Sequence, residues 1–350
     1  MIALDVSKNW IILPPFRIKA ARVAGEELSR CIHLLRKAGD PGFGAPPVMD
    51  ALGPSPADSV PVVVLHGEED GKEKNGFVWR AGPDRIEIFG DSSRGLCNGV
   101  YDFLKALGFS WPKPGVEETP RADTAQPWVF PLEKTQGLLP SQAIPAQRRM
   151  FLSGNRKTRE SLIPWAARNQ IDALVIPREH RRSLFSRKTG NSGVRWELLR
   201  SLADQYALSL ELGGWDLSLL VPRRYFLFHR DFFRMEGGKR VKDVNFCPTN
   251  PETIRLIRAE AGIFFRSYPE IRVFHLWPDR GNEKNWCACP TCRAFTPAEQ
   301  NRIAVNTAAD VLLEINPQAQ LSYYEDSDEP GNIAVRSNMF PCPGLIPAPD

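Results

Sequence analysis

The chain has 350 residues, enough for two domains of ordinary size, and its 42% hydrophobic and 25% charged content is typical of a globular protein. Its formal charge of +4, from 45 Lys and Arg against 41 Asp and Glu, is small for this length and argues against a dedicated nucleic-acid surface. The small charge therefore leads us to expect no nucleic acid as partner. The longest apolar runs, such as PVVVL, are far shorter than the roughly 20 residues of a membrane-spanning helix, so we expect no membrane as partner either.

The amino terminus, MIALDVSKNWIILPP, lacks the basic segment, the apolar segment and the small-residue cleavage site of a secretory signal. A chain with this start is expected in the cytoplasm. If a leader has been removed, the chain is expected to be secreted or periplasmic, and the sequence leaves both locations open.

The first part of the chain alternates short strands with helices, which predicts a small α/β domain over residues 1–115. In chain order, the predicted elements are a strand at 10–13, a helix at 20–37, a strand at 61–66, a hairpin at 77–90 and a second helix, RGLCNGVYDFLKALG. Apolar residues recur at helical spacing from Leu96 to Leu107 in this second helix, and Gly108 follows as a residue that can end it.

A proline-rich segment separates this domain from the rest. Residues 112–146 contain seven prolines, each of which fixes φ and removes a backbone donor. Regular structure is therefore expected to lapse here, and residues 116–145 are predicted to form a linker.

Beyond the linker, residues 146–350 repeat an order of apolar strand and helix, which favours a parallel sheet covered by helices. The predicted strands are MFLSG, ALVIP, LSLELGG, VFHLWPD, LSYYED and AVRSNM, and the predicted helices lie near 158–169, 195–206, 251–267 and 297–315. The pattern has no glycine-rich phosphate loop and favours a (β/α) TIM-like barrel over a dinucleotide-binding fold.

A full eight-unit barrel needs about 250 residues, so this barrel is expected to be incomplete at its carboxyl terminus. The predicted fold class is thus α/β, with a small α/β domain followed by a partial TIM-like barrel. Its open strand edges would need covering, which makes a homo-oligomer an expectation.

Two stretches of the chain resemble known families. Residues 90–115 resemble the end of the small α/β domain that precedes the barrel in α-glucuronidases and β-N-acetylhexosaminidases. FLFHRDFFRMEGGKR, CPTNPE and WPDRGNEKNWCACPTC, in this order, resemble a bacterial group of domains treated as glycoside hydrolases. The resemblance implies a carbohydrate-related role with an oligosaccharide or polysaccharide as partner, and no organic cofactor is expected. The chain departs from this group at GGWD, where Trp215 stands at a position expected to hold a histidine that contacts sugar.

Candidate catalytic residues come from strand ends, because the functional groups of (β/α) barrels lie on the loops that follow the strands. Glycosidic cleavage needs one carboxyl group to protonate the leaving oxygen, and a second group to act as nucleophile or base or to steady an acetamido group of the substrate. Asp279 and Glu325 end adjacent predicted strands and form the predicted pair, with Glu283 as the reserve for Glu325. The alternatives are that Asp279 pairs with Arg280 or caps its loop, and that Glu325 belongs to a solvated acidic run.

Five further strand-end residues are predicted to bind substrate: Arg178, Trp215, Asp216, Trp277 and Arg280. The broad faces of the two tryptophans match the apolar faces of pyranose rings. The alternative is that both tryptophans are core residues, as tryptophans at strand ends often are.

Four cysteines form a candidate metal site. Cys287, Cys289 and Cys292 lie within six residues, and zinc prefers four thiolates in a tetrahedron, so a fourth ligand is required. The loops after the third and fourth barrel strands leave neighbouring strands on one face, which places Cys247 to supply that ligand. A structural zinc ion, a disulfide within the set and free thiols are the alternatives.

Three functional hypotheses follow from these residues. The first is a glycoside hydrolase that acts on a glycan containing uronic acid or N-acetylhexosamine, with carboxylate acid/base chemistry. The second is a non-catalytic carbohydrate-binding protein of glycosidase ancestry, which the Trp215 departure and the shortened barrel favour. The third is a zinc-stabilised interaction module.

Overall fold

The structure is a computed structural model that describes residues 2–39, 42, 44–53, 59–67, 75–120, 128–138, 148–152, 156–177, 192–325, 331–342 and 344–346. The chain forms two compact units. Unit 1 comprises Met1–Leu174, Thr189–Ser209 and Leu345–Asp350, and unit 2 comprises Val175–Lys188 and Leu210–Gly344. The predicted division into 1–115, 116–145 and 146–350 stays a prediction.

Unit 1 contains a five-stranded sheet and a separate strand pair. In chain order its first strands are β1 (Ile2–Asp5), β2 (Ile11–Leu13), β3 (Val62–Gly67), β4 (Phe77–Ala81), β5 (Arg85–Gly90), β6 (Val129–Leu132), β7 (Thr135–Leu138) and β8 (Arg149–Phe151). The larger sheet has the order β2-β3-β5-β4-β7, in which β2, β3 and β5 are parallel and β4 is antiparallel to both of its neighbours. Strands β1 and β6 form the antiparallel pair.

The helices of unit 1 are α1 (Lys19–Gly39), α2 (Ser93–Ala106), α3 (Arg156–Arg168) and α4 (Ser192–Gln205). Helix α2 buries the apolar stripe that its sequence predicts, and it packs on β5. Ser92 caps its start by accepting a hydrogen bond from the backbone N–H of Gly95, and Gly108, at φ +101°, follows its end as predicted.

The proline-rich segment contains regular structure, so the expectation that structure lapses there is wrong. Strands β6 and β7 both lie within residues 112–146. Pro131 is tolerated in β6 because this strand belongs to a two-stranded sheet, where an edge position leaves the missing N–H without consequence. Strand β7 adds to the edge of the larger sheet next to β4.

A buried ion pair anchors the interior of unit 1. Arg94 on α2 and Asp172 are both almost fully buried, with 3.4 Å between Nε and Oδ1. The Asp172 carboxylate also accepts hydrogen bonds from the side-chain amides of Asn75 and Asn98 and from the backbone N–H of Arg148. Asp172 therefore joins α2 to the segments that contain Asn75 and Arg148.

The remaining strands belong to a parallel sheet. They are β9 (Ala173–Ile176), β10 (Ser209–Gly214), β13 (Val273–Leu276), β14 (Gln320–Tyr323), β15 (Met339–Pro341) and β16 (Leu345–Ile346), with a small antiparallel hairpin of β11 (Met235–Glu236) and β12 (Lys239–Arg240) between β10 and β13. The strand order is β15-β14-β13-β10-β9-β8-β16. This curled parallel sheet is a partial TIM-like barrel, which confirms the predicted α/β fold class.

Strand periodicity gives the sheet of unit 2 two different faces. Leu212, Phe274 and Leu321 are buried on one face, where Phe265 of helix α5 (Pro251–Arg266) contacts the ring of Phe274 at 4.9 Å between centroids. Helix α6 (Pro297–Ile315) packs on α5 and β14. The opposite face carries polar and aromatic residues and leads to the candidate site. Asn250 and Pro251 begin α5 as cap and first helical residue, as predicted.

One glycine fixes the approach of β10 to β13. Gly213 has φ +125°, and a Cβ atom at this position would lie 1.9 Å from the carbonyl oxygen of His275. Side chains are excluded here both by the backbone conformation and by the space.

The sixth barrel strand begins later than the sequence predicts. AVRSNM was predicted as the strand, whereas β15 begins at Met339. Residues 334–338 instead connect to α6, because Asn306 donates to the carbonyl of Ala334 and Arg336 pairs with Asp310. No helix in the described part of the chain combines the length and the apolar character that crossing a bilayer requires.

We expect Asp172→Ala to lower the free energy of unfolding by about 3–5 kcal/mol, because it leaves a buried arginine without its counter-charge. Asp84→Ala is the matched control: Asp84 pairs with Lys8, but its side chain is 62% exposed, so the loss should stay below about 1 kcal/mol. Chemical denaturation of the three proteins measures both values. Equal losses for the two variants would contradict the anchoring role of Asp172.

Candidate functional site

Four buried cysteines meet in unit 2. Cys247 precedes α5, whereas Cys287, Cys289 and Cys292 lie between β13 and α6. The sulfur of Cys247 is 3.9 Å from that of Cys289 and 3.7 Å from that of Cys292, and all four sulfurs lie within 4.8 Å of one another. The two loops therefore meet, as the sequence predicts.

Polar groups surround these sulfurs. The backbone N–H of Met235 points to Cys287 Sγ at 3.3 Å, and Thr249 Oγ1 lies 3.0 Å from Cys292 Sγ. Gln300 on α6 holds the loop itself: its amide nitrogen donates to the carbonyls of Cys287 and Cys292, and its amide oxygen accepts from the backbone N–H of Cys287. The sulfur cluster is thus held in position by hydrogen bonds to both backbone and side chains.

The thiols interact strongly as acids. Hydrogen bonds from Cys287 and Cys292 hold the pKa of the Cys247 thiol well below its ordinary value, against the opposing effect of burial. The hydrogen bond to Cys247 raises the pKa of Cys287 to about 11 and also raises the pKa of Cys292. One thiolate is therefore favourable in the cluster, and each further negative charge is costly in the absence of a cation.

The distances fit a metal ion. Four thiolates at about 2.3 Å from a central ion form a tetrahedron with edges of about 3.8 Å, close to the two sulfur–sulfur distances above. All seven cysteines of the chain are free, so no disulfide joins the four. This group of four cysteines can hold a metal ion.

Asp279 lies in a separate hydrogen-bond network, directly after β13. Its Oδ1 accepts from Ser218 Oγ at 2.6 Å, and its Oδ2 accepts from the backbone N–H of Asn245 at 2.6 Å and from Arg223 Nη2 at 3.2 Å. Both carboxylate oxygens are thus engaged by the chain itself, and the arginine keeps a positive charge beside them.

Asn245 links Asp279 to the cysteine loop. Its side-chain oxygen accepts from the backbone N–H of Asp279, and its amide nitrogen donates to the carbonyls of Asn282 and Asn285, at 2.9 Å each. Asn245 is one of the few non-glycine residues with positive φ, +46°, and it lies two residues before Cys247. The loop after β13 is therefore fixed at one end by Asn245 and at the other by the cysteines.

The second predicted catalytic residue, Glu325, follows the neighbouring strand β14. It forms an ion pair with Arg302, and its Oε2 accepts from the hydroxyl of Tyr323 at 3.2 Å. A small cavity of about 10 Å³ lies near the residues that follow the two strands. It is lined by Pro278, Glu283, Lys284, Pro297, Ala298, Asn301 and Tyr324. The reserve candidate, Glu283, therefore faces this pocket, and its Oε1 accepts from the backbone N–H of Gly281 at 2.9 Å.

The two tryptophans predicted to stack on sugar lie against each other. Trp215 is half-buried, and its ring centroid is 5.3 Å from that of Trp277 and 5.7 Å from that of Tyr324. Trp277 is fully buried and offers no face to a ligand in this conformation. Asp216 is also buried, whereas Arg280 is exposed at the start of the loop. Arg178 lies outside the described residues.

A buried polar triad beneath Trp277 was not predicted from the sequence. His275 donates or accepts at both ring nitrogens, with Glu211 Oε2 at 2.8 Å from Nε2 and Ser322 Oγ at 2.6 Å from Nδ1. Trp277 Nε1 donates to the same hydroxyl at 2.9 Å. The residues lie on β10, β13 and β14, so period-two alternation is the signal that places them on one face of the sheet.

We expect Asn245→Ala to lower the free energy of unfolding by about 3 kcal/mol, because it removes three side-chain hydrogen bonds and places alanine at positive φ. Asn245→Gly is the matched control, since it loses the same hydrogen bonds without the backbone strain. It should be about 1 kcal/mol less destabilising than the alanine variant. Equal stabilities of both variants and the wild type in chemical denaturation would contradict the linking role of Asn245.

Comparisons with known proteins show the fold. Neither a scan against models of protein families nor a search of curated proteins found a match. Among solved structures, the chain is similar to an inactive mutant of the glycoside hydrolase family 20 exo-β-N-acetylglucosaminidase from Vibrio harveyi, with a TM-score of 0.54 at 10% identity over 95% of this chain and 54% of that chain. The same enzyme in complex with N-acetylglucosamine gives a TM-score of 0.51 at 12% identity over 97% and 54%.

A chitobiase of Flavobacterium johnsoniae is similar to the same degree, with a TM-score of 0.52 at 13% identity over 92% of this chain and 50% of that one. The chain thus spans about half the length of these solved structures. At these identities the likeness concerns the fold: a TIM-barrel-like architecture that this chain shares with family 20 glycoside hydrolases.

Proposed function

We propose that the protein is a glycoside hydrolase acting on a glycan that contains N-acetylhexosamine or uronic acid. The observation that carries the proposal is the position of Asp279 and Glu325 after adjacent parallel strands, where residues Pro278 and Tyr324 beside them line one pocket. Barrel enzymes bind and convert their substrates at this end of the strands. The similar solved structures, which are N-acetylglucosaminidases and a chitobiase, favour N-acetylhexosamine, and the resemblance of residues 90–115 to α-glucuronidases keeps uronic acid as the alternative.

We propose different roles for the three carboxyl groups, and their contacts support this division. Asp279 is paired with Arg223 and Glu325 with Arg302, and such contacts suit a carboxylate that orients the substrate or acts as base. Glu283 has no arginine or lysine partner among the described residues, and it lines the pocket. Glu283 is thus the better-placed group to protonate the leaving oxygen.

A carbohydrate-binding protein without catalysis is the second candidate. The contacts of both Asp279 oxygens with Ser218, Arg223 and Asn245 favour it, because they give the carboxylate a role in holding the loops together. Under this alternative the surface around the half-buried Trp215 binds sugar, and the carboxylates serve only to hold the loops.

We expect the wild type to release the aryl group from aryl N-acetylhexosaminides or aryl uronides, and Asp279→Asn, Glu325→Gln and Glu283→Gln each to lower kcat by about 10²- to 10⁴-fold. Glu314→Gln is the matched control, since Glu314 lies on the surface of α6 with its side chain 62% exposed and should leave the rate unchanged. Rates equal to wild type in all three variants would contradict the assigned roles. Affinity for N-acetylglucosamine oligosaccharides without turnover would support the binding protein instead.

We further propose that the four cysteines hold a structural zinc ion. Sulfur–sulfur distances of 3.7 and 3.9 Å support it, as does the fully protein-derived set of four thiols, which leaves no open position for a substrate. Such an ion would fasten the loop of Cys287, Cys289 and Cys292 to the segment before α5.

We expect the purified protein to contain one zinc ion per chain by elemental analysis, and Cys292→Ser to lose it together with several degrees of thermal stability. Cys342→Ser is the control, because Cys342 is remote from the cluster in sequence and is not among its four members. Zinc-free protein with four titratable thiols and unchanged stability would contradict the proposal. Zinc without affinity for any glycan would favour an interaction module.

A further inference from the structure

We propose that residues 223–242 form a binding surface for an anionic glycan chain, outside the pocket described above. This segment follows β10 and includes the hairpin of β11 and β12. The inference rests on the proposed function only for its choice of a glycan. The segment follows β10 and reaches the candidate site directly, because Arg223 at its start pairs with Asp279. The charged side chains of the segment indicate that the ligand is negatively charged.

Two cations converge on one aromatic ring in this segment. The guanidinium carbon of Arg230 and the ammonium nitrogen of Lys242 each lie 5.6 Å from the ring centroid of Phe226. Both residues are exposed, and neither forms an ion pair with a described residue. Holding two like charges near one ring is unfavourable unless solvent or an anion compensates them.

The carboxylates that could neutralise these cations are engaged elsewhere. Arg234 binds both Glu236 and Asp243, and Asp231 accepts a hydrogen bond from the side-chain amide of Asn250 at 2.7 Å. Glu236 and Asp243 are therefore paired within the protein, whereas Asp231 keeps its negative charge, and the basic side chains of the segment outnumber its acidic ones. An incoming carboxylate or sulfate would meet Arg230 and Lys242, neither of which is held in an ion pair by a described residue.

Apolar side chains stand next to these cations. Leu227 is 75% and Phe228 is 84% exposed, which is unusual for side chains of this size when they are adjacent. Arg224 lies over the ring of Tyr225 at 5.1 Å. Aromatic rings between basic side chains match a sugar chain with acidic substituents, whose C–H faces stack on rings while its anions pair with arginine and lysine.

Buried side chains and backbone hydrogen bonds hold this surface in place. Phe232 and Phe233 are buried beneath it, and the carbonyl of Phe232 accepts from the backbone N–H of Cys247. Met235 continues the connection, because it packs on the four cysteines and its carbonyl accepts from the backbone N–H of Ala288. The cysteine cluster thus supports the segment from below.

The test measures binding of three soluble probes to the full chain by calorimetry at low and moderate salt: an oligogalacturonate, a sulfated chondroitin oligosaccharide and neutral chitohexaose. We expect one or both anionic probes to bind, the affinity to fall with salt, and the double variant Arg230→Glu/Lys242→Glu to weaken binding by about tenfold or more. Binding of only the first probe identifies carboxylate as the recognised group, and binding of both extends it to sulfate. Phe228→Ala should weaken binding of the anionic probes without changing its salt dependence.

Arg17→Glu/Lys113→Glu is the matched control, because it alters net charge equally at two other exposed positions and should leave binding unchanged. Far-ultraviolet circular dichroism checks that every variant is folded. Chitohexaose binding as tightly as the anionic probes, equal affinity in the double variant, or absence of binding would each overturn the inference. Association only with vesicles of phosphatidylserine and phosphatidylcholine would overturn it in favour of a membrane surface.

The outcome is separable from that of the proposed hydrolysis. Anionic probes that bind through Arg230 and Lys242 but are recovered intact support this surface and contradict the hydrolytic proposal for them. Turnover of a neutral aryl N-acetylhexosaminide, with no binding of anionic probes, supports hydrolysis and overturns this surface.

Discussion

Asn245 is the residue on which the geometry of the candidate site depends. Its backbone N–H donates to the carboxylate of Asp279, and its side-chain oxygen accepts from the backbone N–H of Asp279. Its amide nitrogen donates to two carbonyls further along the loop after β13. Two residues later the chain reaches Cys247, whose sulfur meets those of Cys289 and Cys292. One short stretch of backbone therefore contacts both the carboxylate and the sulfur cluster.

The basic side chains of unit 2 fall into two groups, those held in ion pairs and those exposed without one. Arginines that lie beneath the surface are engaged: Arg223 binds Asp279, Arg234 binds two carboxylates, and Arg302 binds Glu325. At the surface of residues 223–242, Arg224 pairs with Glu260, whereas Arg230 and Lys242 have no such partner among the described residues. The ion pairs of Arg223 and Arg234 hold the segment in position, and Arg230 and Lys242 present positive charge on it.

Local sequence signals predicted a large part of this structure. Features that depend on contacts between residues far apart in the sequence were not predicted. The helix caps at Asn250 and Gly108 follow from residue type alone, and strand order was enough to bring Cys247 to the other cysteines. Strand β6 was missed because its proline reads as a breaker unless the strand is known to lie at an edge. The role of Asn245 was missed because its positive φ and its hydrogen bonds to the neighbouring loops exist only after these loops meet.

The close approach at Gly213 restricts how this protein can vary during evolution. Any side chain there would overlap the carbonyl of His275, so β10 and β13 could remain neighbours only by separating locally. Such a gap would open beside the buried group of Glu211, His275 and Ser322, and it would admit water to a histidine that is sealed from solvent. Homologous chains that keep this inner histidine should therefore keep glycine opposite it, and the two positions are expected to change together.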